Sequence, residues 1–194
     1  MNLMRYVDQW LFTTINGQAG HWPWLDGLAR LILNDYFVPT LLALTLLALW
    51  FEPARQAQQN QRAVLAASLS AALVNIIVKA MNLLYFRPRP FAGQAAHLLF
   101  YHPTDSSFPS NAAALGFAIA AGVWFYHRLW GWGLLLLAAL FGLSRIFGGV
   151  HYPLDVAAGA ILGWGSAWLV QRQAGLVDKL LLVLVGLAGK LGLA

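Results

Sequence analysis

The sequence predicts an all-α, polytopic integral membrane protein, and three observations carry that prediction. Hydrophobic residues make up 60% of the 194 residues and charged residues only 10%, with a mean hydropathy of +0.63. Soluble domains carry about 25% charged residues, so a water-soluble globule of this size would lack polar surface. Apolar stretches approach the roughly 20 residues that a helix needs to cross a bilayer. The length fits one membrane-embedded domain, residues 1–194.

The N-terminal segment, residues 1–33, is expected to lie at the membrane interface. Apolar and polar positions are mixed at helical spacing over residues 2–16, which predicts an amphipathic helix that contacts membrane lipids. Trp22 and Trp24 suit an interfacial position, and a short helix is expected over residues 25–33. The segment lacks the basic, apolar and small-residue pattern of a cleavable signal peptide.

Six apolar segments within residues 36–191 are predicted to form a six-helix transmembrane bundle. They cover residues 36–51, 63–84, 109–126, 130–147, 153–170 and 176–191. Between the second and third segments lies a proline-rich loop, residues 85–108. Its length indicates a function, because loops this long are otherwise uncommon in compact domains.

The distribution of basic residues predicts the orientation of the bundle. The first, third and fifth linkers lie on one side, which is expected to be cytoplasmic; their basic residues, with one just beyond, are Arg55, Arg62, Arg128, Arg172 and Lys179. The other linkers then face outward although they also carry basic residues, and charges kept there indicate a functional site. The net charge of +5 is scattered along the chain, which favours lipid headgroups and an anionic substrate over nucleic acid as partners.

Three outward segments carry the candidate chemistry, and the first runs from Lys79 to Pro90. Lys79 lies near the end of the second predicted span, where a lysine that snorkels to the interface is the alternative interpretation. Arg87 and Arg89 each precede a proline, which favours an extended backbone. Arginine binds phosphate or carboxylate through paired hydrogen bonds, so this segment predicts an anion site.

The second segment reads SSFPSNAAALGF and begins at Ser106. Pro109 suits the first turn of a helix. The backbone N–H groups of Ser110 and Asn111 would then point out of the helix N-terminus towards an anion, and the Ser110 hydroxyl adds a donor. Capping of that helix by one of the two preceding serines, Ser106 or Ser107, is the plainer alternative.

The third segment, SRIFGGVHYPLD, ends at Asp155. Its glycine pair permits a tight turn, and Pro153 marks the start of a helix whose first turn holds Asp155. A hydrogen bond between His151 and Asp155 would fix the tautomer of the imidazole and leave its other nitrogen as a nucleophile. Beside Arg145 and the basic residues of the first segment, this pair describes a site that holds and attacks a phosphate.

The three segments resemble the type-2 phosphatidic-acid phosphatase superfamily, whose signature has three parts. The first part is a lysine, six residues and Arg-Pro, and here seven residues intervene. The second is Pro-Ser-Gly-His, in which asparagine replaces the glycine and alanine replaces the histidine here. The third, Ser-Arg, five residues, His, three residues and Asp, is matched in full. The corresponding positions are Lys79, Arg87, Pro109, Ser110, Asn111, Ala112, Ser144, Arg145, His151 and Asp155.

The resemblance is strongest to the bacterial undecaprenyl-pyrophosphate phosphatase branch and implies a role for each residue. His151 would attack the terminal phosphorus of undecaprenyl diphosphate and become phosphohistidine, while Asp155 would orient it. The substrate would enter from the bacterial inner membrane with its phosphates on the extracytoplasmic side. No metal or other cofactor is expected. The implied phosphate ligands are Lys79, Arg87, Ser110, Asn111 and Arg145.

Ala112 stands where the family has the general acid that protonates the leaving oxygen. One hypothesis is that this loss, engineered or natural, leaves a protein that binds substrate but turns it over poorly. A second is that a lipid phosphate leaves readily without the acid, and a third is that His102 or Asp105 replaces it. Another lipid phosphate as substrate (phosphatidylglycerophosphate, phosphatidate or lipid A) and a non-hydrolysing lipid-phosphate binder or transporter are the alternative functions.

Overall fold

The computed structural model describes residues 3–52, 57–93 and 95–190, and all its regular elements in those ranges are helices. The all-α prediction is therefore confirmed for the described part of the chain. Arg55, used for the orientation, and Leu191, the last residue of the sixth predicted span, lie outside these ranges. The helices are α1 (Leu3–Asn16), α2 (Pro23–Leu33), α3 (Phe37–Phe51), α4 (Ala57–Leu84), α5 (Pro90–Gly93), α6 (Asn111–Tyr126), α7 (Arg128–Phe147), α8 (Pro153–Arg172) and α9 (Ala174–Lys190).

The apolar helices make this a multi-pass membrane protein. By length and composition, α4, α7 and α8 can each cross a membrane, and α2 with α3 forms a fourth candidate span bent by 55°. The apolar helix α6 has 16 residues and is shorter than these. Three to four spans are thus supported by the described helices, and the count of six, which would add α6 and α9, stays a prediction.

Several helix boundaries differ from the predicted ones. Helix α4 begins at Ala57, so the second half of the predicted linker 52–62 is helical, because its glutamines and arginine are good helix formers. Only His127 separates α6 from α7. The loop 85–108 contains the single turn of α5, and α2 begins at Pro23, where proline suits a first helical turn.

Helix α6 lies at the centre of the bundle, where it packs against α4, α7 and α8. Two glycines of α8 allow its backbone to approach that of α6 directly. A Cβ atom built on Gly159 would stand 2.4 Å from the carbonyl oxygen of Ser110, and one on Gly163 would stand 2.4 Å from that of Ala114. This close approach brings the N-terminus of α6 beside the N-terminus of α8, which carries the third sequence segment.

Adding a methyl group at this contact is expected to destabilise the bundle. In Gly163→Ala the new Cβ atom would clash with α6 backbone atoms, and overpacking of this kind costs about 1–3 kcal/mol. The midpoint of thermal unfolding in detergent should therefore fall. Gly165→Ala is the matched control, because no heavy atom lies within 4 Å of the Cβ position there. Equal unfolding midpoints for the two variants would contradict the close packing of α6 and α8.

Helix α1 directs polar side chains towards the bundle. Its buried residues are Asp8, Phe12 and Asn16, which recur every four positions and so share one face. The opposite side is apolar and exposed at Leu3, Tyr6, Val7 and Trp10. An apolar outer face suits contact with lipid, although the interfacial position itself stays a prediction. Helix α1 contacts α7 and α8 and thereby joins the part of the bundle that carries the third segment.

Candidate active site

A cavity of about 300 Å³ lies where the 85–108 loop meets the α2–α3 turn and the ends of α6 and α7. Its polar groups include two arginines, two aspartates and one histidine, and much of the remaining wall is apolar. The lining residues are Asp35, Pro39, Arg89, Phe100, Tyr101, Pro103, Asp105, Ser106, Pro109, Asn111, Ala112, Leu115, Phe141, Arg145 and His151.

His151 is buried at this cavity with one ring nitrogen anchored to the backbone. Nδ1 lies 2.8 Å from the carbonyl oxygen of Ser107. Because a carbonyl oxygen can only accept, Nδ1 carries the proton, and Nε2 of the neutral ring is unprotonated, with its lone pair facing the Nη1 donor of Arg89. Nε2 lies 3.3 Å from Nη1 of Arg89. The atom available for attack is therefore next to a guanidinium that can hold a phosphate.

The surroundings of His151 favour its neutral form. Burial lowers the pKa of His151 below its ordinary value; Asp155 opposes this, whereas Arg89 and Arg145 add to the lowering. With an ordinary value near 6.5, a lowered pKa keeps the imidazole unprotonated at pH 7. An unprotonated nitrogen is what nucleophilic attack on phosphorus requires.

Asp155 does not hydrogen-bond directly to His151, and this corrects the predicted geometry. Its Oδ2 lies 3.9 Å from Nδ1 of His151. The same oxygen accepts hydrogen bonds from the Ser107 hydroxyl at 2.6 Å and from the Tyr152 N–H at 2.9 Å. The carboxylate is held there because it accepts the backbone N–H of the residue that precedes α8, as an acidic side chain in the first helical turn can. Ser107 thus bridges the pair, with its hydroxyl on Asp155 and its carbonyl on His151.

Arg89 and Arg145 supply the positive charge of the cavity, and each is paired with a carboxylate. Arg89 donates from Nη2 to Asp105 at 2.8 Å and from Nη1 to the carbonyl oxygen of Val150 at 3.0 Å. Arg145 donates from Nη2 to Asp35 at 2.7 Å. Its Nε is buried with no hydrogen-bond partner among the described residues. Both guanidinium groups are thus fixed at the wall of the cavity.

Three residues predicted to bind phosphate lie away from this cavity, and none of them is part of its wall. Lys79 is exposed on α4. Arg87 is held between two buried carboxylates, those of Asp8 and Asp155. Ser110 is buried: its hydroxyl caps α6, and its N–H donates to the backbone carbonyl of Asp155 at 2.9 Å. The cap of α6 is therefore Ser110 itself rather than a preceding serine.

Asn111 and Ala112 do line the cavity, at the first two positions of α6. The first N–H groups of a helix have no intrahelical acceptor and favour anions. The predicted anion-binding helix terminus therefore lies at the cavity, starting one residue beyond Ser110. Ala112 is half-buried and presents a methyl group where the family pattern has an imidazole.

The arginine of the first motif that lies at the cavity is not the predicted one. Arg89, rather than Arg87, approaches His151, so the second Arg-Pro of RPRP is the one at the site. Six residues separate Asn82 from Arg89, which is the spacing that the family motif has between its lysine and its arginine. The side-chain oxygen of Asn82 is buried without a hydrogen-bond partner among the described residues. The repeated Arg-Pro was the sequence signal for this alignment; no comparable signal marked Ser107 or Asp35.

The proposed substitutes for the missing acid occupy different places. His102 packs edge-to-face on Phe91, with ring centroids 5.0 Å apart, and lies outside the cavity lining. Asp105 lines the cavity but is engaged by Arg89.

The described residues contain no group of three or more His, Cys, Asp or Glu side chains that could hold a metal ion. Metal-independent chemistry stays a prediction.

A helical bundle with apolar spans that holds a neutral histidine against two arginines has the parts of a membrane lipid phosphatase. Comparison with known proteins gives the family. A family model described as the PAP2 superfamily matches residues 63–177. The chain belongs to the PAP2 superfamily, which confirms the family predicted from the three motifs.

Individual relatives agree with this assignment. The undecaprenyl-diphosphatase BcrC of Bacillus subtilis is 34% identical over 152 residues, which cover 78% of this chain and 76% of that protein. A protein named bacitracin transport permease protein BcrC, from Bacillus licheniformis, is 40% identical over 130 residues, covering 66% of this chain and 63% of its own. The crystal structure of LpxE from Aquifex aeolicus is similar with a TM-score of 0.64 at 28% identity, over 86% of this chain and 95% of that one.

Proposed function

We propose that the protein hydrolyses the terminal phosphate of undecaprenyl diphosphate through a phosphohistidine at His151. The observation that carries the proposal is Nε2 of His151, oriented by the Ser107 carbonyl and lying 3.3 Å from Arg89 in the cavity. The relative named undecaprenyl-diphosphatase supports the substrate. The site would face the extracytoplasmic side of a bacterial inner membrane, with the polyprenyl chain in the bilayer.

The proposed reaction has two steps at the same phosphorus atom. Nε2 of His151 attacks the terminal phosphorus while the bond to the bridging oxygen breaks, and undecaprenyl phosphate leaves. Water then attacks the phosphohistidine, which returns His151 and releases inorganic phosphate. Arg89, Arg145 and the first N–H groups of α6 would stabilise the charge on the non-bridging oxygens, which is the main contribution to phosphoryl transfer.

Ala112 would make the first step depend on the leaving group. When a lipid diphosphate is cleaved, the leaving group is a lipid phosphate, which is stable as an anion. When a phosphate monoester is cleaved, the leaving group is an alkoxide, which needs a proton as its bond breaks. General acid catalysis, which supplies that proton, contributes about 10²–10⁴-fold. Without an imidazole at Ala112, cleavage of a diphosphate should be impaired less than cleavage of a monoester. We therefore propose slow turnover with a preference for the diphosphate.

Neutralising Arg89 is expected to impair catalysis far more than neutralising Lys79. Arg89→Gln removes a donor beside the attacking nitrogen and should lower kcat/KM by about 10²–10³-fold, the usual cost of losing one donor to transition-state charge. Lys79→Gln removes the same charge from an exposed position on α4, away from the cavity, and should have little effect. Phosphate release in detergent micelles measures both. A comparable loss in Lys79→Gln would contradict the placement of the site.

A panel of lipid phosphates tests the substrate. Phosphate release would be measured from undecaprenyl diphosphate, phosphatidylglycerophosphate, phosphatidate and lipid A at equal surface concentration, with His151→Ala as the control. We expect undecaprenyl diphosphate to be cleaved fastest. Faster phosphate release from one of the monoesters would contradict the proposed substrate but not the assignment of the protein as a phosphatase.

A second candidate function is a lipid-phosphate binder or transporter that does not hydrolyse its ligand. The loss of two ionisable groups from the family pattern, at Asn82 and Ala112, favours it, as does the relative named a transport permease protein. The neutral, oriented His151 opposes it, since binding alone does not require a directed ring nitrogen. Tight binding of undecaprenyl diphosphate without formation of phosphohistidine would favour this function over hydrolysis.

A further inference from the structure

The N-terminal helix α1 reaches the candidate site although it precedes the part of the chain that matches the family model. Asp8, in the middle of this helix, is 1% exposed. Its Oδ2 accepts from Nη2 of Arg87 at 2.6 Å, and its Oδ1 accepts from the N–H of Leu154 at 2.9 Å. A carboxylate buried to this extent is costly unless it is fully paired, and both of its oxygens are.

Arg87 connects Asp8 to the residue next to the nucleophile. Its Nη1 donates to Oδ1 of Asp155 at 2.5 Å, and its guanidinium carbon lies 4.2 Å from the centre of the Tyr152 ring. Burial alone would lower the pKa of Arg87, but Asp8 and Asp155 raise it above its ordinary value, so the guanidinium stays charged. One cation is thus shared between two buried carboxylates.

The other buried residues of α1 hold the same region. Phe12 packs against Tyr152, with ring centroids 5.4 Å apart. The Asn16 side chain donates to the carbonyl oxygens of Phe147 and His97 at 2.7 and 2.8 Å. Together with Asp8, these contacts clamp the segment on both sides of His151. A helix that only rested on the membrane would not need buried polar contacts at this one place.

We propose that Asp8 is a positioning residue for the reaction at His151 and acts through Arg87 and Asp155. Asp8 takes part of the charge of Arg87, which leaves Asp155 with more of its negative charge to stabilise the positive ring that forms when Nε2 binds phosphorus. It also fixes the start of α8 by accepting from Leu154, which keeps the Asp155 carboxylate on Ser107. The catalytic consequence rests on the proposed function; the effect on His151 does not.

The test separates charge from structure with isosteric variants. Asp8→Asn keeps an oxygen for the Leu154 N–H and removes the charge, so it should fold. Arg87 then neutralises Asp155 alone, and the surroundings of His151 become more positive by one charge. The pKa of His151 should fall further, because the loss of a negative charge disfavours the protonated ring. In Asp8→Glu, which keeps the charge, His151 should titrate close to its position in the parent protein.

The readout is the pH titration of ¹³Cε1-labelled histidine in nanodiscs, with His151→Gln used to assign one of the five histidine signals. In Asp8→Asn combined with Arg87→Gln the lost charges cancel, so the titration should move back towards the parent value. Phe12→Leu is the structural control, because it loosens α1 without changing any charge. An unshifted titration in Asp8→Asn, or an equal shift in Phe12→Leu, would overturn the proposal.

Activity provides the second readout. In Asp8→Asn, kcat on undecaprenyl diphosphate should fall about tenfold, because less negative charge stabilises the imidazolium that forms at His151. Effects of this order or larger are usual for groups whose pKa lies near the operating pH. The acid limb of kcat/KM should move to lower pH along with the His151 titration. If no variant, including the parent, releases phosphate, the proposed function fails, and the titration still decides the role of Asp8.

Discussion

Replacing His151 by alanine is expected to abolish the proposed phosphohistidine and to lower phosphate release by about 10⁴-fold or more, as the loss of a covalent nucleophile does elsewhere. The structure gives the physical reason. Nδ1 is committed to the Ser107 carbonyl, and only Nε2 faces Arg89. Brief incubation with substrate labelled in the terminal phosphate, followed by denaturation at high pH, should leave label on the parent protein and none on His151→Ala.

The control for this experiment is another histidine of the same loop region. His102→Ala removes an imidazole that packs on Phe91 outside the cavity lining, so labelling should persist at the parent level. Label that survives in His151→Ala and disappears in His102→Ala would refute the assignment of the nucleophile. His102→Ala also tests His102 as the substitute acid. If His102 had that role, His102→Ala would lower turnover.

Restoring the family histidine is expected to have the second-largest effect, in the opposite direction. Ala112→His should raise turnover by about 10²–10⁴-fold, the range that a positioned general acid contributes. Ala112 lines a cavity of about 300 Å³, which offers room for an imidazole. It also lies in the first turn of α6, where the helix dipole disfavours a cation and so makes the protonated ring a better acid.

Two comparisons separate acid catalysis from a better-filled cavity. Ala112→Asn adds a polar side chain that cannot transfer a proton at neutral pH, and it should not raise turnover. The gain in Ala112→His should be larger for a phosphate monoester than for undecaprenyl diphosphate, because an alkoxide needs the proton more. An equal gain from asparagine, or no gain from histidine, would show that the acid is not what this chain lacks.

The predicted site residues that line the cavity come from two short stretches of the chain. Arg145 and His151 lie on either side of one tight turn, so their spacing alone brings them to the same end of the bundle. Asn111 and Ala112 follow Pro109 into a helix, and the proline predicts where that helix terminus lies. Local rules suffice for these residues because few backbone angles separate the motif from the geometry.

The remaining parts depend on contacts that no local pattern contains. In RPRP both arginines precede proline, so spacing cannot tell which guanidinium turns towards His151; the fold selects Arg89. The hydrogen bond that fixes the imidazole is accepted by a backbone carbonyl, that of Ser107, and every residue has such a group. Asp8 is far from the motifs in sequence, and its helix reads as an amphipathic surface segment until the bundle buries one of its faces.

The two aspartates at the cavity wall affect how the site empties. Asp35 and Asp105 occupy Arg145 and Arg89 before any phosphate arrives, so an incoming anion exchanges one set of ion pairs for another. Its apparent affinity is a difference between two similar attractions and not the full strength of either. Under the proposed function, the same carboxylates would compete again for Arg145 and Arg89 once inorganic phosphate has formed. Tethered anions of this kind would favour rapid clearance of a small product, whereas the proposed substrate, anchored by a long chain in the bilayer, would be held at the site by its tail.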